Sequence, residues 1–277
     1  MKRIVFFGVV VILVIALASC WPGSIPLVPK TLLIDDIHNN AIGGSFNILF
    51  AKFIQEFQAK GYSVSLASSV GFSPENYGAV LIAVPELTYT AAEKNKLSSL
   101  LSRGGKIILL GEWYSYYNNA PMNAITAAIG VNISFNNNEL LDNTNNYDGT
   151  TYWVTTTKFE THPLSTGLSK IVIFAGCTLN VGAGASIVAR AEATSYTASV
   201  DTVHFSAESS IGVSQEEGYD SQVIISVPIV AAARVGVGKV FAVGDTNIFG
   251  NEPGSYVPGD YIDIFNNKKL LQNIIDW

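Results

Sequence analysis

Gly78-Ala-Val-Leu-Ile-Ala-Val84, Thr90-Ala-Ala-Glu93 and Lys106-Ile-Ile-Leu-Leu110 decide the fold between them. The first and last runs are apolar throughout, so each reads as a strand buried on both faces. A helix lies between. Thr90 and Glu93 form a capping-box pattern, in which both side chains satisfy free N–H groups of the first turn. Leu97, Leu100 and Leu101 share one face of this helix, and Gly104-Gly105 stops it. Apolar strands joined by an amphipathic helix imply a parallel sheet covered on both faces.

The same alternation extends toward the N-terminus. Thr31-Leu-Leu-Ile-Asp35 is a short buried strand ending in acid. Phe46, Leu49, Phe50, Phe53, Ile54 and Phe57 recur at helical spacing until Gly61. Tyr62 to Ala67 alternates as another strand, and residues 119–129 suit a third helix. The character then changes. Residues 136–151, rich in Asn, Asp and Gly, predict a surface loop. Short β runs follow at Tyr152 to Thr156, Ile171 to Phe174, Ser186 to Ala191 and Val223 to Ala233. Val235-Gly-Val-Gly-Lys239 reads as a turn leading into a strong strand, Lys239 to Gly244. A last helix carries Leu270, Leu271, Ile274 and Ile275 on one face. No internal repeat is visible. The expectation is one α/β domain over residues 31–277, with a β-rich elaboration at about 150–235.

The first residues concern location. Lys2 and Arg3 precede an apolar run from Ile4 to Ala18 and then Leu17-Ala18-Ser19-Cys20. A basic start, a brief apolar core and small residues before a cut site make a secretory signal over residues 1–19. Cys20 in that setting resembles the bacterial lipobox, which implies cleavage before Cys20 and lipidation there with acyl chains such as palmitate. The run is short for a span of about 20 residues. An uncleaved anchor and plain secretion are the other readings. Pro22, Gly23, Pro26 and Pro29 make residues 20–30 an extended tether. The protein is expected outside the cytoplasm as a membrane-anchored lipoprotein, with inner and outer membrane both open.

Without residues 1–19 the chain keeps 14 basic and 22 acidic residues. A nucleic-acid binder needs a basic surface, so that class is excluded. Only two cysteines exist. With lipid on Cys20, Cys177 has no disulfide partner. Its apolar setting, Ile-Val-Ile-Phe-Ala-Gly-Cys-Thr-Leu, suits a buried structural thiol.

Ligands of open parallel sheets bind at the carboxyl ends of strands. Those ends supply a candidate rim: Asp35, Asp36 and His38, then Glu86, then Glu112 and Trp113, then Asp245 and Asn247. Three readings compete. Carboxylates with an imidazole could hold a metal. Carboxylates beside aromatic rings could bind a sugar or peptide. The acids could instead cap helix N-termini, where negative charge is favoured. Asp245-Thr-Asn247-Ile-Phe249-Gly250 fails as a calcium loop, since Phe249 and Tyr256 stand where ligands belong. Gly182-Ala-Gly184 and Gly236-Val-Gly238 are not dinucleotide fingerprints. No Walker sequence or Gly-x-Ser-x-Gly elbow occurs. His162 and His204 suit structural roles. No metal site is assigned and no cofactor is expected.

Leu-Leu-Ile-Asp-Asp-Ile-His38-Asn, Val-Leu-Ile-Ala-Val-Pro85, Gly104-Gly-Lys-Ile-Ile-Leu-Leu-Gly-Glu-Trp113, Gly236-Val-Gly-Lys-Val-Phe-Ala-Val-Gly-Asp-Thr-Asn-Ile-Phe249 and the Asn267 to Trp277 ending resemble the class I glutamine amidotransferase-like superfamily. The resemblance is to its non-catalytic branch, with domains of gliding-motility transport accessory proteins and of an intraflagellar-transport subunit. It implies a mostly parallel, flavodoxin-like three-layer sandwich. The family's enzymes carry a nucleophilic Cys after the strand that is here Lys106 to Leu110, where this chain has Gly111-Glu112. Without that thiolate no glutaminyl intermediate forms. The expected function is an envelope binding or scaffolding module. Its expected partners are the membrane through the lipid and an envelope protein, an ABC-transporter component or a glycan. The alternative is a glycan hydrolase working through Asp36, Glu86 or Glu112.

Overall fold

The computed structural model describes residues 28–199, 222–223, 226–251 and 259–277. Cys20, the signal segment, most of the tether and His204 lie outside the described residues. The architecture is mixed α/β around a mostly parallel sheet. Its strands are β1 (Thr31–Ile34), β2 (Ser63–Leu66), β3 (Ala79–Ala83), β4 (Lys106–Leu110), β5 (Lys158–Phe159), β6 (Ala185–Arg190), β7 (Pro228–Val235) and β8 (Gly238–Val243). Their order is β2-β1-β3-β4-β8-β7-β6-β5. The first five are parallel. β7, β6 and β5 extend the sheet antiparallel.

Every residue of β3 and β4 is buried, as their unbroken apolar runs require. Helix α1 (Ala51–Ala59) covers the sheet with Phe53 and Phe57. Helix α2 (Ala91–Ser102) brings Leu97, Leu100 and Leu101 inward. Its capping box is complete: Glu93 N donates to Thr90 Oγ1 at 3.2 Å, and Thr90 N donates to Glu93 Oε2 at 2.8 Å. Gly105 is needed where α2 turns back, because a Cβ there would stand 2.1 Å from Leu100 Cδ1 and 2.9 Å from its carbonyl oxygen. Helices α3 (Ala120–Ala128) and α4 (Asn267–Asp276) are the other two helices of more than four residues among the described residues. Among the described residues no helix is long and apolar enough to cross a membrane.

The helix expected from Phe46 is broken. A turn over Phe46–Leu49 is separated from α1 at Phe50. Asn251 sits at the break. Its Oδ1 accepts from Lys52 N at 3.0 Å, and its own N–H donates to the Leu49 carbonyl at 2.6 Å. A residue 199 positions away thus satisfies the free groups of two helix ends.

Residues 136–151 are not the surface loop that their composition predicts. Glu139–Leu141 pairs with Tyr196–Ala198, and Asn146–Tyr147 with Thr150–Thr156. Asp142 is fully buried between them. It accepts from Thr144 N, Asn145 N, Thr194 Oγ1 and Ser195 Oγ. Burial pushes its carboxyl up, and these four bonds outweigh that and hold it below the ordinary value. The polar residues bond inward, so composition alone misleads. Short strands begin at Ile133–Phe135, and β5 to β7 join the main sheet.

The chain enters the domain at the amino-terminal edge of the parallel strands. Val28 lies against Gly104, and the Pro29 carbonyl lies against Gly78, where any Cβ would collide with it.

Candidate functional site

Because β1, β3, β4 and β8 are parallel, their carboxyl ends share one edge. A cleft of about 440 Å³ opens there. Its polar side is formed by Glu112, Trp113 and Tyr116 after β4, Thr246 and Asn247 after β8, and Asn251. Its apolar wall is Ala41, Ile42, Leu49 and Phe50. Tight backbone approaches build the floor. A Cβ on Gly111 would stand 2.4 Å from the Phe135 ring, and one on Gly244 would stand 2.2 Å from the Cys177 carbonyl oxygen. Val84, at the end of β3, holds φ of 37°, strained for a β-branched residue and located at this same edge.

Two carboxylates meet at the floor. Glu112 is almost wholly buried. Its Oε1 accepts from Trp113 N at 3.1 Å, and its Oε2 lies 2.6 Å from Thr246 Oγ1. Burial first, and the neighbouring Asp245 second, push its carboxyl well above the ordinary value. Asp245 is fully buried behind it. Its oxygens accept from Phe174 N and Asn247 N, both at 2.7 Å. Burial raises Asp245 too, while main-chain donors pull it back. Cys177 sits beside the pair with its Sγ 3.6 Å from Asn119 Nδ2. Burial and Glu112 push the thiol up, so no thiolate forms there.

The expected rim therefore divides. Glu112, Trp113 and Asn247 line the cleft, with Asp245 behind them. Asp35 and His38 form a second, closed cluster. His38 Nδ1 lies 2.7 Å from Asp35 Oδ1, and Tyr89 Oη donates to Asp35 Oδ2. His38 Nε2 lies 3.5 Å from Glu93 Oε1, and its ring stacks on Tyr89 at 3.9 Å. Asp36 turns to the start of the Ala67–Val70 turn, accepting from Ser68 N at 2.7 Å and Ser68 Oγ at 2.6 Å. Glu86 is exposed and accepts from Asn39 Nδ2. Among the described residues no group of three or more His, Cys, Asp or Glu is placed to hold a metal. Tyr116, Asn251 and the apolar wall are cleft residues that the strand-end rule missed, since they lie several residues beyond the ends.

His38 makes stability depend on pH. Burial alone would lower its pKa, but the bond and charge of Asp35, joined by Glu93, outweigh burial and raise it above 6.5. A raised folded value stabilises fully below the unfolded one and fades as pH climbs through the folded one. The stability difference between the native protein and His38→Gln should therefore shrink as pH rises above about 6.5. Urea titrations across that window measure it, and a gap that widens with pH would contradict the assignment.

No family model matches the chain, and no curated protein matches it. Solved structures do. The mmIFT52 N-terminal domain is similar over 89% of this chain and 96% of its own, at 17% identity and a TM-score of 0.62. Cytoplasmic Protein STM3548 from Salmonella typhimurium is similar over 89% of this chain and 98% of its own, at 11% identity and a TM-score of 0.48. The first likeness is one of fold. It fits the intraflagellar-transport side of the resemblance, and the wider superfamily does not follow from it.

Proposed function

We propose that this chain is a lipid-anchored, extracytoplasmic binding module on a flavodoxin-like, amidotransferase-like domain, without amidotransferase catalysis, and that a glycan of the cell envelope occupies the strand-end cleft. The cleft lining carries this reading. Trp113 and Tyr116 offer ring faces for sugar stacking. Thr246, Asn247 and Asn251 offer hydroxyl and amide groups for sugar hydroxyls. The fold likeness supports an intraflagellar-transport-like α/β domain, and the lipobox supports the location.

The hydrolase reading is weaker on geometry. Two carboxylates must flank the scissile bond at roughly 5 to 10 Å. Glu112 is the one carboxylate among the described residues lining the cleft. Asp36 is tied to Ser68, Glu86 is turned to Asn39, and the Asp245 oxygens are taken by main-chain donors.

The test is a disaccharide panel by calorimetry: cellobiose, N,N′-diacetylchitobiose, chitobiose with free amines, and a uronic-acid disaccharide. At least one should bind, and Trp113→Ala should weaken it about tenfold, the worth of one stacked ring. Binding untouched by that substitution would move the site elsewhere, and release of monosaccharide would favour the hydrolase. Location has its own test. Cys20→Ser should shift the protein from the membrane fraction to the soluble one or leave it unprocessed. Normal lipid labelling in that variant would remove the anchor from the reading.

A further inference from the structure

A second pocket, of about 160 Å³, lies at the other end of the sheet. Ser186 of β6, Arg234 of β7, His162 and Trp277 border it. Arg234 pairs across the hairpin with Lys239 of β8, and Lys239 stands in parallel register with Lys106, the first residue of β4. The pocket therefore belongs to the amino-terminal edge of the parallel strands, away from the cleft.

Every polar side chain that borders this pocket can donate a hydrogen bond. His162 Nδ1 accepts from Leu164 N at 3.1 Å, which puts the ring hydrogen on Nε2. Burial first, and Arg234 second, hold the imidazole below its ordinary pKa and so keep it neutral in that tautomer. Trp277 Nε1 can only donate, and it is buried with no partner among the described residues. Ser186 offers a hydroxyl and Arg234 a guanidinium. No carboxylate borders the pocket among the described residues.

The positive charge there is unanswered as well. Arg234 and Lys239 are like charges directly opposed across two strands, an arrangement that destabilises a sheet. Arg234 Cζ lies 5.7 Å and Lys239 Nζ 5.6 Å from the centre of the Trp277 ring. A ring face attracts a cation without cancelling its charge. Neither cation forms an ion pair among the described residues. The acids nearest in sequence to Trp277 and His162 are engaged elsewhere, Asp276 with Lys60 and Glu160 with Arg190, both at 2.7 Å. A buried N–H without an acceptor and two unpaired like charges each cost stability. One bound anion relieves both.

We propose that this pocket binds a phosphate group, whose oxygens accept from the Arg234 guanidinium, His162 Nε2 and Trp277 Nε1 while Lys239 adds its charge. The donors come from separate segments of the chain. A phosphate has three oxygens to share among them, and a carboxylate only two. The place suits a lipid headgroup. Val28, where the chain enters, and Val237 of the hairpin both lie against Gly104 at this edge, and Val237 is exposed. A soluble phosphate ester has the same chemistry. The site is independent of the sugar reading of the cleft.

The test uses the full chain in neutral detergent, titrated by calorimetry with inorganic phosphate, glycerol 3-phosphate and acetate. Either phosphate should bind about tenfold more tightly than acetate, the worth of one charge-assisted hydrogen bond. Arg234→Gln should weaken phosphate about tenfold. Trp277→Phe, which keeps a ring and loses the N–H, should weaken it about threefold. Lys30→Gln removes a cation at the same edge outside the pocket and should change nothing. Flotation with vesicles of phosphatidylcholine, with and without phosphatidylglycerol, separates the sources. Tighter binding to the anionic vesicles that depends on Arg234 would assign a lipid headgroup. Phosphate binding with no difference between vesicles would assign a soluble ester. The comparison of phosphate with acetate needs no variant, so misfolding cannot hide the answer. Acetate binding as tightly as phosphate would overturn the proposal, as would an affinity that either pocket variant leaves unchanged. Absence of binding in both arms would overturn it too, and would leave the cleft reading untouched.

Discussion

A chain ending at Asn266 will not fold. The truncation removes α4, and with it Leu270, Leu271 and Ile274, each fully buried, and Ile275, nearly so. Cutting one large apolar side chain to Ala costs about 2 to 5 kcal/mol in a core. Total stability of a domain is about 5 to 15 kcal/mol, so losing four such groups, about 8 to 20 kcal/mol, is enough to consume it. Polar bonds go too. Asn273 Nδ2 donates to the carbonyls of Leu164 and Thr166, and Asn267 bonds both main-chain groups of Val172. Lys106 is buried at the start of β4 and donates to the carbonyls of Ile274 and Ile275. Without the helix end that ammonium faces apolar surroundings, where burial and Lys239 already lower its pKa to about 7. Circular dichroism and thermal melting check the outcome. Cooperative melting like that of the full chain would show α4 to be peripheral. A stable fragment of residues 31–135 would argue for two domains instead of one.

Asp35→Ala should cost about 3 to 5 kcal/mol, the usual penalty for removing one partner of a buried ion pair. Asp35 is fully buried and answers two groups at once, the His38 imidazole and the Tyr89 hydroxyl. Its loss leaves the Tyr89 hydroxyl without this acceptor and His38 facing only Glu93 at 3.5 Å. Asp36→Ala is the control next door. It removes bonds to Ser68 at an exposed helix end, worth about 1 kcal/mol. Urea denaturation of the two variants should rank them in that order. Equal losses, or less than about 1 kcal/mol for Asp35→Ala, would show that the cluster is not an ion pair.

These neighbouring acids also show how far the sequence could be read. Strands β3 and β4 were legible because full burial demands unbroken apolar runs. Helix α2 was legible because its capping residues lie three apart. The rim was legible as a location only. Sequence places Asp35 and Asp36 at the end of β1, yet adjacent side chains leave a strand on opposite faces. One goes down to His38 and the other across to Ser68, and that choice depends on partners 32 and 54 residues away. Residues 139–147 misled for a related reason, since Asn and Asp bond inward as readily as they face water. The break at Phe50 had no local signal at all, because Asn251 makes it.

The docking of Val28 and Pro29 against Gly104 and Gly78 sets the direction in which the protein presents itself. The chain arrives at the base of the sheet, and the cleft opens at the opposite end of the same strands. Any support that grips the N-terminus therefore meets the base, whether a bilayer through acyl chains on Cys20 or a sensor chip through a fused tag. The mouth stands beyond the depth of the sheet from such a support, pointing outward. A polymer too large to slip between the domain and the surface still has free access to it.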